Sequence, residues 1–344
     1  MSLKSKLIGG KFGFPAQFLN AVASPHFLQG NPALLFNARS GIKLVVDQLK
    51  SKQIWLPSFL CDSIITAIDP SISKISFYPI DDLLNVQSED FIAKIHSEDI
   101  FLLIDYFGFP IDSGLIRKIR ARGCKILRDC SQALFFDWND ELCDFHLFSP
   151  RKFLGVPDGG ILHWQKNISL HIPTLDEPEQ EVMYPLLQAL ILRRDFDLHK
   201  DDKEWLLLFR EAESHFKPEY RAMSQLTTLL LTKAFDYDFI KKQRQKNFRI
   251  LALMLPDLAI YRNLPDGVTP LGFPIRYYNR KFLQKQLFAR NIFPPIHWVI
   301  DTYVPHEFEK SHKLSQQILT LPCDHRYTEE DMIYLANAVL EIVG

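Results

Sequence analysis

The stretch Asp144-Phe-His-Leu-Phe-Ser149-Pro-Arg-Lys152-Phe-Leu-Gly-Val-Pro-Asp158-Gly159-Gly160-Ile-Leu places a lysine just after an apolar, strand-like run and ahead of a Gly-Gly turn into a second strand. Upstream, Cys124-Lys-Ile-Leu-Arg128-Asp129-Cys130-Ser131-Gln132-Ala133 ends another predicted strand on a carboxylate. Around these two clusters helices predicted at 40–50, 61–68, 89–95 and 115–122 alternate with strands predicted at 53–56, 75–78, 100–105, 125–129 and 145–148. Short apolar strands separated by amphipathic helices build βαβ units, hence a mostly parallel sheet covered on both faces. In such sheets ligands bind beyond the carboxyl ends of the strands. Asp129 ends one strand and Lys152 follows another, so both are expected at the same sheet edge.

The rest of the chain divides the fold. After a strand at 161–164 and a polar, proline-bearing stretch, three helical patterns run from 181 to 255, including 224–231 and 239–254. A strand at 272–278, a helix at 280–290 and a final helix capped by Thr328, with Glu329, Glu330 and Asp331 in its first turn, complete it; acidic residues there suit the helix dipole. The expectation is an α/β protein with a large domain over residues 1–245 and a smaller C-terminal α/β domain over 246–344.

Composition narrows the partners. The chain has 344 residues, 47% of them apolar, enough for a sizeable core. Forty basic residues stand against forty-one acidic ones, so no broad field favours nucleic acid or an anionic membrane. Five cysteines, Cys61, Cys124, Cys130, Cys143 and Cys323, show no C-x-x-C spacing and sit mostly in apolar runs; they read as reduced core residues rather than a disulfide or zinc framework. Lysines interrupt the apolar residues near the N-terminus, and no segment approaches the roughly 20 apolar residues of a membrane span. A soluble, cytoplasmic protein acting on small molecules, without a bound metal, is expected. No Gly-rich dinucleotide fingerprint, Walker loop or G-x-S-x-G elbow is present.

The lysine cluster and the Asp129-Cys-Ser-Gln132-Ala stretch together resemble the DegT/StrS sugar aminotransferases, within the fold-type I pyridoxal-phosphate enzymes. The similarity extends from about Leu34 to the C-terminus. It implies that Lys152 forms the Schiff base with pyridoxal phosphate and shuttles protons, that Asp129 pairs with the pyridinium nitrogen, and that Gln132 contacts the ring substituents. It further implies a homodimer that aminates a nucleotide-linked keto-sugar, with glutamate as donor, in polysaccharide biosynthesis. Asn37-Ala38-Arg39-Ser40-Gly41 is similar to the family's Ser-Gly-x-x-Ala-Leu loop, which holds phosphate at a helix start; Ala38 and Arg39 take those positions. Ser149 is the hydroxyl nearest the lysine, since the family's serine five residues before it is Leu147 here.

Further departures bear on activity. The family's ring-stacking aromatic falls on Cys61, leaving Phe59 to swing in, and the asparagine that reaches a neighbouring subunit's phosphate is Glu219, with Arg221 as the nearby cation. His297 and Arg326 lie in segments similar to those approaching substrate. For each residue a plain reading stands beside the functional one: Lys152 a solvated lysine next to Arg151, Asp129 a loop cap, Ser149 a turn serine, His297 a packed core histidine, Arg221 and Arg326 surface arginines. A sugar dehydratase of the same fold carries histidine at the lysine position. A non-catalytic member that binds cofactor or sugar nucleotide without transamination is the alternative.

Overall fold

The computed structural model describes residues 6–15, 24–139, 141–199 and 203–344; Met1–Ser5, part of the lysine-interrupted N-terminus, lie outside the described residues. Up to Trp164 the elements are β1 (Ile8–Gly9), β2 (Ala33–Leu35), α1 (Ala38–Leu49), β3 (Gln53–Pro57), α2 (Asp62–Ile65), β4 (Lys74–Tyr78), β5 (Ile100–Ile104), α3 (Ser113–Arg120), β6 (Lys125–Asp129), β7 (Phe145–Phe148) and β8 (Gly160–Trp164). Seven of these strands form one sheet in the order β2-β8-β7-β6-β5-β3-β4. From β4 to β7 all neighbours run parallel, and β8 lies antiparallel between β7 and β2. Central strands are apolar on both sides, as in β5, Ile-Phe-Leu-Leu-Ile, where every residue is buried. A strand covered on both faces requires such a run.

Four helices follow: α4 (Gln180–His199), α5 (Glu204–Ser214), α6 (Gln225–Lys233) and α7 (Tyr237–Met254). The C-terminal part holds β9 (Phe273–Arg276), α8 (Arg280–Ala289), β10 (Ile292–Phe293), α9 (Glu309–Gln317), β11 (Ile318–Leu321) and α10 (Glu329–Val343). β9 pairs antiparallel with β11, while β1 reaches across to pair parallel with β10. The expected α/β architecture with a mostly parallel sheet is the one found. Residue 245 falls inside α7, and the main hydrophobic core runs without a break from Phe101 and Leu127 of the sheet to Phe248, Leu314 and Leu335.

Several expected elements differ. Residues 89–95 form a 3-10 turn, Asp90–Lys94, and 61–68 hold only the single turn of α2. Four helices, not three, occupy 180–254, because α4 is apolar nearly all round: Val182, Leu186 and Leu190 are buried while Tyr184, Ile191 and Leu198 are exposed. Such a helix has no clear apolar stripe to count.

Two contacts set the geometry around the Gly-Gly turn. A Cβ on Gly160 would lie 2.3 Å from the backbone of Asn37 and 2.5 Å from the amide nitrogen of Ala38, so β8 can pass the start of α1 only as glycine. The buried Asp158 carboxylate accepts hydrogen bonds from the Ser224 amide (2.6 Å), the Ser224 hydroxyl (2.7 Å) and the Thr227 hydroxyl, tying the turn to the first turn of α6. Gly160→Ala is expected to lower stability by about 3 kcal/mol, because the clash is with backbone atoms that cannot rotate away. Urea unfolding of the variant against the parent chain measures this, and a loss within a few tenths would mean the helix start yields.

Candidate active site

At the carboxyl edge of the sheet lies a cavity of about 490 Å³. Strand direction explains what reaches it. β2, β7 and β6 point their carboxyl ends at this edge, and β8, running the other way, starts there with Gly160. Across the edge in sheet order come Asn37–Arg39 after β2, Ser149–Lys152 after β7, Asp129 at the end of β6, and Cys61 in the loop that follows β3. All of these residues but Pro150 line the cavity. It thus brings together Lys152, Asp129, Gln132, Ser149, Ala38, Arg39, His297 and Arg326.

Asp129 is buried beside an arginine yet not neutralised by it. Neighbouring residues on a strand face opposite sides, and Arg128 turns away to pair with buried Asp105 through two hydrogen bonds of 2.8 and 3.0 Å, its guanidinium stacked 3.8 Å over Phe136. Asp129 accepts a hydrogen bond only at Oδ1, from the Ser131 amide at 2.8 Å, among the described residues. Its second oxygen is left for a ligand. Gln132 accepts from the Phe107 amide at 2.7 Å through Oε1, while its Nε2 is buried without a partner. A buried amide nitrogen with nothing to donate to costs roughly 1–3 kcal/mol, an expense that a ligand acceptor in the cavity would remove.

Lys152 ends a short 3-10 turn, Pro150–Lys152, and is exposed to the cavity, whereas the Ser149 hydroxyl does not cap that turn. At α1 the Asn37 side chain accepts from the Ser40 amide at 3.1 Å and donates to the Lys217 carbonyl at 3.0 Å. This cap leaves the amides of Ala38 and Arg39, like the first N–H groups of any helix, without intrahelical partners. The Arg39 guanidinium donates to the Phe216 carbonyl at 2.5 Å.

The remaining predicted residues separate. His297 lines the cavity with Nδ1 2.9 Å from the Thr320 hydroxyl, its ring edge-on to Phe107. Burial, with help from the nearby cations Lys152 and Lys11, lowers its pKa to about 3, so it is neutral at physiological pH. Arg326 also lines the cavity, but its guanidinium is engaged by both oxygens of Asp324 (2.8 and 2.9 Å) and the carbonyls of Lys11 and Gly10, and it lies over Phe12. Arg221 lies outside the cavity, paired with Glu179 (2.5 Å) and Glu219 (2.8 Å). Phe59 does not swing in: it is fully buried, packed against Tyr106 and Trp298, while Cys61 and Trp298 line the cavity.

Three lining residues escaped sequence reasoning. Lys11, from the segment after β1, and Arg151 both pair with Glu213 at the end of α5, Arg151 at 3.2 Å. Burial alone would raise the Glu213 carboxyl, but Lys11 and Arg151 outweigh it and hold it below the usual range. No sequence signal joins positions this far apart. Among the described residues, no group of three His, Cys, Asp or Glu side chains comes together to hold a metal ion, and no helix is long and apolar enough to cross a membrane.

No protein-family model and no curated relative matches the chain. Solved structures do. PseC of Helicobacter pylori, described as an aminotransferase involved in the biosynthesis of pseudoaminic acid, superposes with a TM-score of 0.67 at 13% identity over 98% of this chain and 99% of its own. The aminotransferase TlmJ of Streptoalloteichus hindustanus gives the same TM-score, identity and coverage. A DegT/DnrJ/EryC1/StrS aminotransferase from Brucella abortus gives 0.61 at 16% identity, covering 92% of this chain and 86% of its own. The fold is that of the DegT/StrS-type sugar aminotransferases, as the sequence resemblance implies.

His297 is expected to stay neutral across the range from pH 5 upward. Its folded pKa of about 3 lies below the roughly 6.5 of an unfolded histidine, so the unfolded chain binds more protons between those values. The stability tied to His297 is therefore complete above about pH 6.5 and declines as pH falls toward 3. NMR of ring-labelled histidine checks the first point, with a His297 titration near 6.5 as the contrary result; His297→Gln should flatten the acid side of the stability profile.

Proposed function

We propose that the protein is a pyridoxal-phosphate-dependent aminotransferase that transfers an amino group, with glutamate as donor, to a nucleotide-linked keto-sugar. The observation that carries the reading is the meeting, in one cavity, of the exposed Lys152, the buried half-used carboxylate of Asp129 and the orphaned Nε2 of Gln132. These are the groups the cofactor needs, and the fold is shared with sugar aminotransferases.

When bound, the cofactor supplies an electron sink for the carbon that loses its proton. Asp129, at low local dielectric, would hold the cofactor's ring nitrogen in its protonated form, since a carboxylate there favours the cation. Gln132 Nε2 donates to a ring substituent. Lys152 would hold the cofactor covalently and, when released from it, would serve as the base and acid that moves the proton between the amino-donor carbon and the cofactor carbon. Ser149 and the open amides of Ala38 and Arg39 receive the phosphate. His297, neutral and held by Thr320, offers the substrate a hydrogen-bonding edge without a charge. The exposed apolar residues Tyr184, Ile191 and Leu198 of α4, with Leu207 of α5, support a homodimer.

Borohydride reduction in the presence of pyridoxal phosphate, followed by peptide mapping, is expected to label Lys152; label on another lysine or none would overturn the assignment. Lys152→Ala should lower turnover by about 10⁴-fold, and Asp129→Asn by about 10²-fold or more with the fold retained. A protein that takes the cofactor on Lys152 but shows no spectral half-reaction with glutamate or any other amino donor would be the non-catalytic alternative.

A further inference from the structure

The position preceding Lys152 carries a guanidinium that the reading above leaves without a task. Arg151 is not a solvated neighbour of the lysine. It lines the cavity, its guanidinium lies 4.3 Å over the Phe216 ring, one nitrogen reaches Glu213 at 3.2 Å, and Nε is buried with no partner. The Phe216 carbonyl is the one that anchors Arg39, and the next carbonyl, of Lys217, anchors the α1 cap residue Asn37. Arg151 is therefore fixed beside the start of α1, on the same side as the open amides of Ala38 and Arg39. Lys11 meets the same oxygen of Glu213.

The charges do not balance. Lys11, Arg39, Arg151 and Lys152 share this end of the cavity with one lining carboxylate, Glu213; the buried Asp158, which also acts on Arg151, is taken up by Ser224 and Thr227 behind the lining. A guanidinium held flat by an aromatic ring presents its donors in a fixed plane, the geometry that suits a phosphate. One feature expected from the family is missing nearby: the serine five before the lysine is Leu147, which packs in the core.

We propose that Arg151, assisted by Lys11, is the main cationic ligand of the cofactor phosphate, with Glu213 as the group that positions both cations. The proposal rests on the cofactor reading for the identity of the phosphate ester, but the anion site stands on Arg151 itself.

The test uses the full chain stripped of cofactor, with pyridoxal phosphate, unphosphorylated pyridoxal and inorganic phosphate as separate probes. Arg151→Gln is expected to weaken pyridoxal phosphate about 30-fold or more, the size of a lost charge-assisted hydrogen bond, and to leave pyridoxal unchanged; Arg151→Lys should recover part of the loss. Inorganic phosphate should compete with pyridoxal phosphate in the parent chain and lose most of that ability in Arg151→Gln, while Glu213→Gln should alter phosphate affinity without abolishing pyridoxal binding. Equal losses for pyridoxal and its phosphate would make Arg151 a structural residue and overturn the proposal, as would no loss for either. If the parent chain binds neither pyridoxal form, the cofactor reading fails, and phosphate binding measured directly by ³¹P line broadening decides the anion site: broadening lost in Arg151→Gln supports it, and no broadening in the parent overturns it.

Discussion

The backbone contact between Gly160 and the start of α1 is the constraint on which the rest of the site depends. Because nothing larger than a hydrogen fits between β8 and the Asn37–Ala38 peptide, the helix can begin directly above the sheet edge, with its first amides at the cavity. The same turn carries Asp158, whose carboxylate fastens α6. With β7 at one end and these two fixed points at the other, the chain from Phe148 to Asp158 has little freedom. Lys152 is thus delivered to the cavity by a segment braced at both ends rather than by a free loop, which is what a group that must meet one reacting atom requires.

Electrostatics then divides the cavity. At one end Asp129 is the carboxylate, kept from its neighbour Arg128 by strand alternation and by the Asp105 pair on the opposite face. At the other end stand the cations around Glu213. A molecule with a basic ring at one terminus and an anionic ester at the other matches this polarity, and burial around Asp129 strengthens its end relative to water. Lys152, like Lys11, is near enough to His297 to share in lowering its pKa.

Much of this was legible before any coordinates. Parallel strands buried on both faces announce themselves as apolar runs, so β5, β6 and β7 were readable nearly to the residue, and strand direction alone put Asp129 and Lys152 on one edge. The antiparallel turn of β8 was not readable, because a Gly-Gly turn fits either direction. Nor was α4, whose apolar residues surround its axis. Resemblance pointed to Gln132 and the α1 start, which line the cavity, and to Arg221, which lies outside it in ion pairs with Glu179 and Glu219. Lys11 and Glu213 were invisible for a simpler reason: each is an ordinary charged residue until the chain brings it to Arg151.

The pairing of β1 with β10 carries a consequence for how the molecule comes to exist. Gly9 donates its amide to the Tyr327 hydroxyl at 2.7 Å, Arg326 holds the Lys11 carbonyl at 2.8 Å, and Ile8 lies in register with Ile292. One wall of the cavity is thus made by residues that are synthesised long before the partners that hold them. Contacts closing so long a loop carry their full entropic cost before they return anything. During synthesis, then, the strands that carry Asp129 and Lys152 precede this wall, and a chain lacking Ile292 to Tyr327 would be left without the partners that hold it.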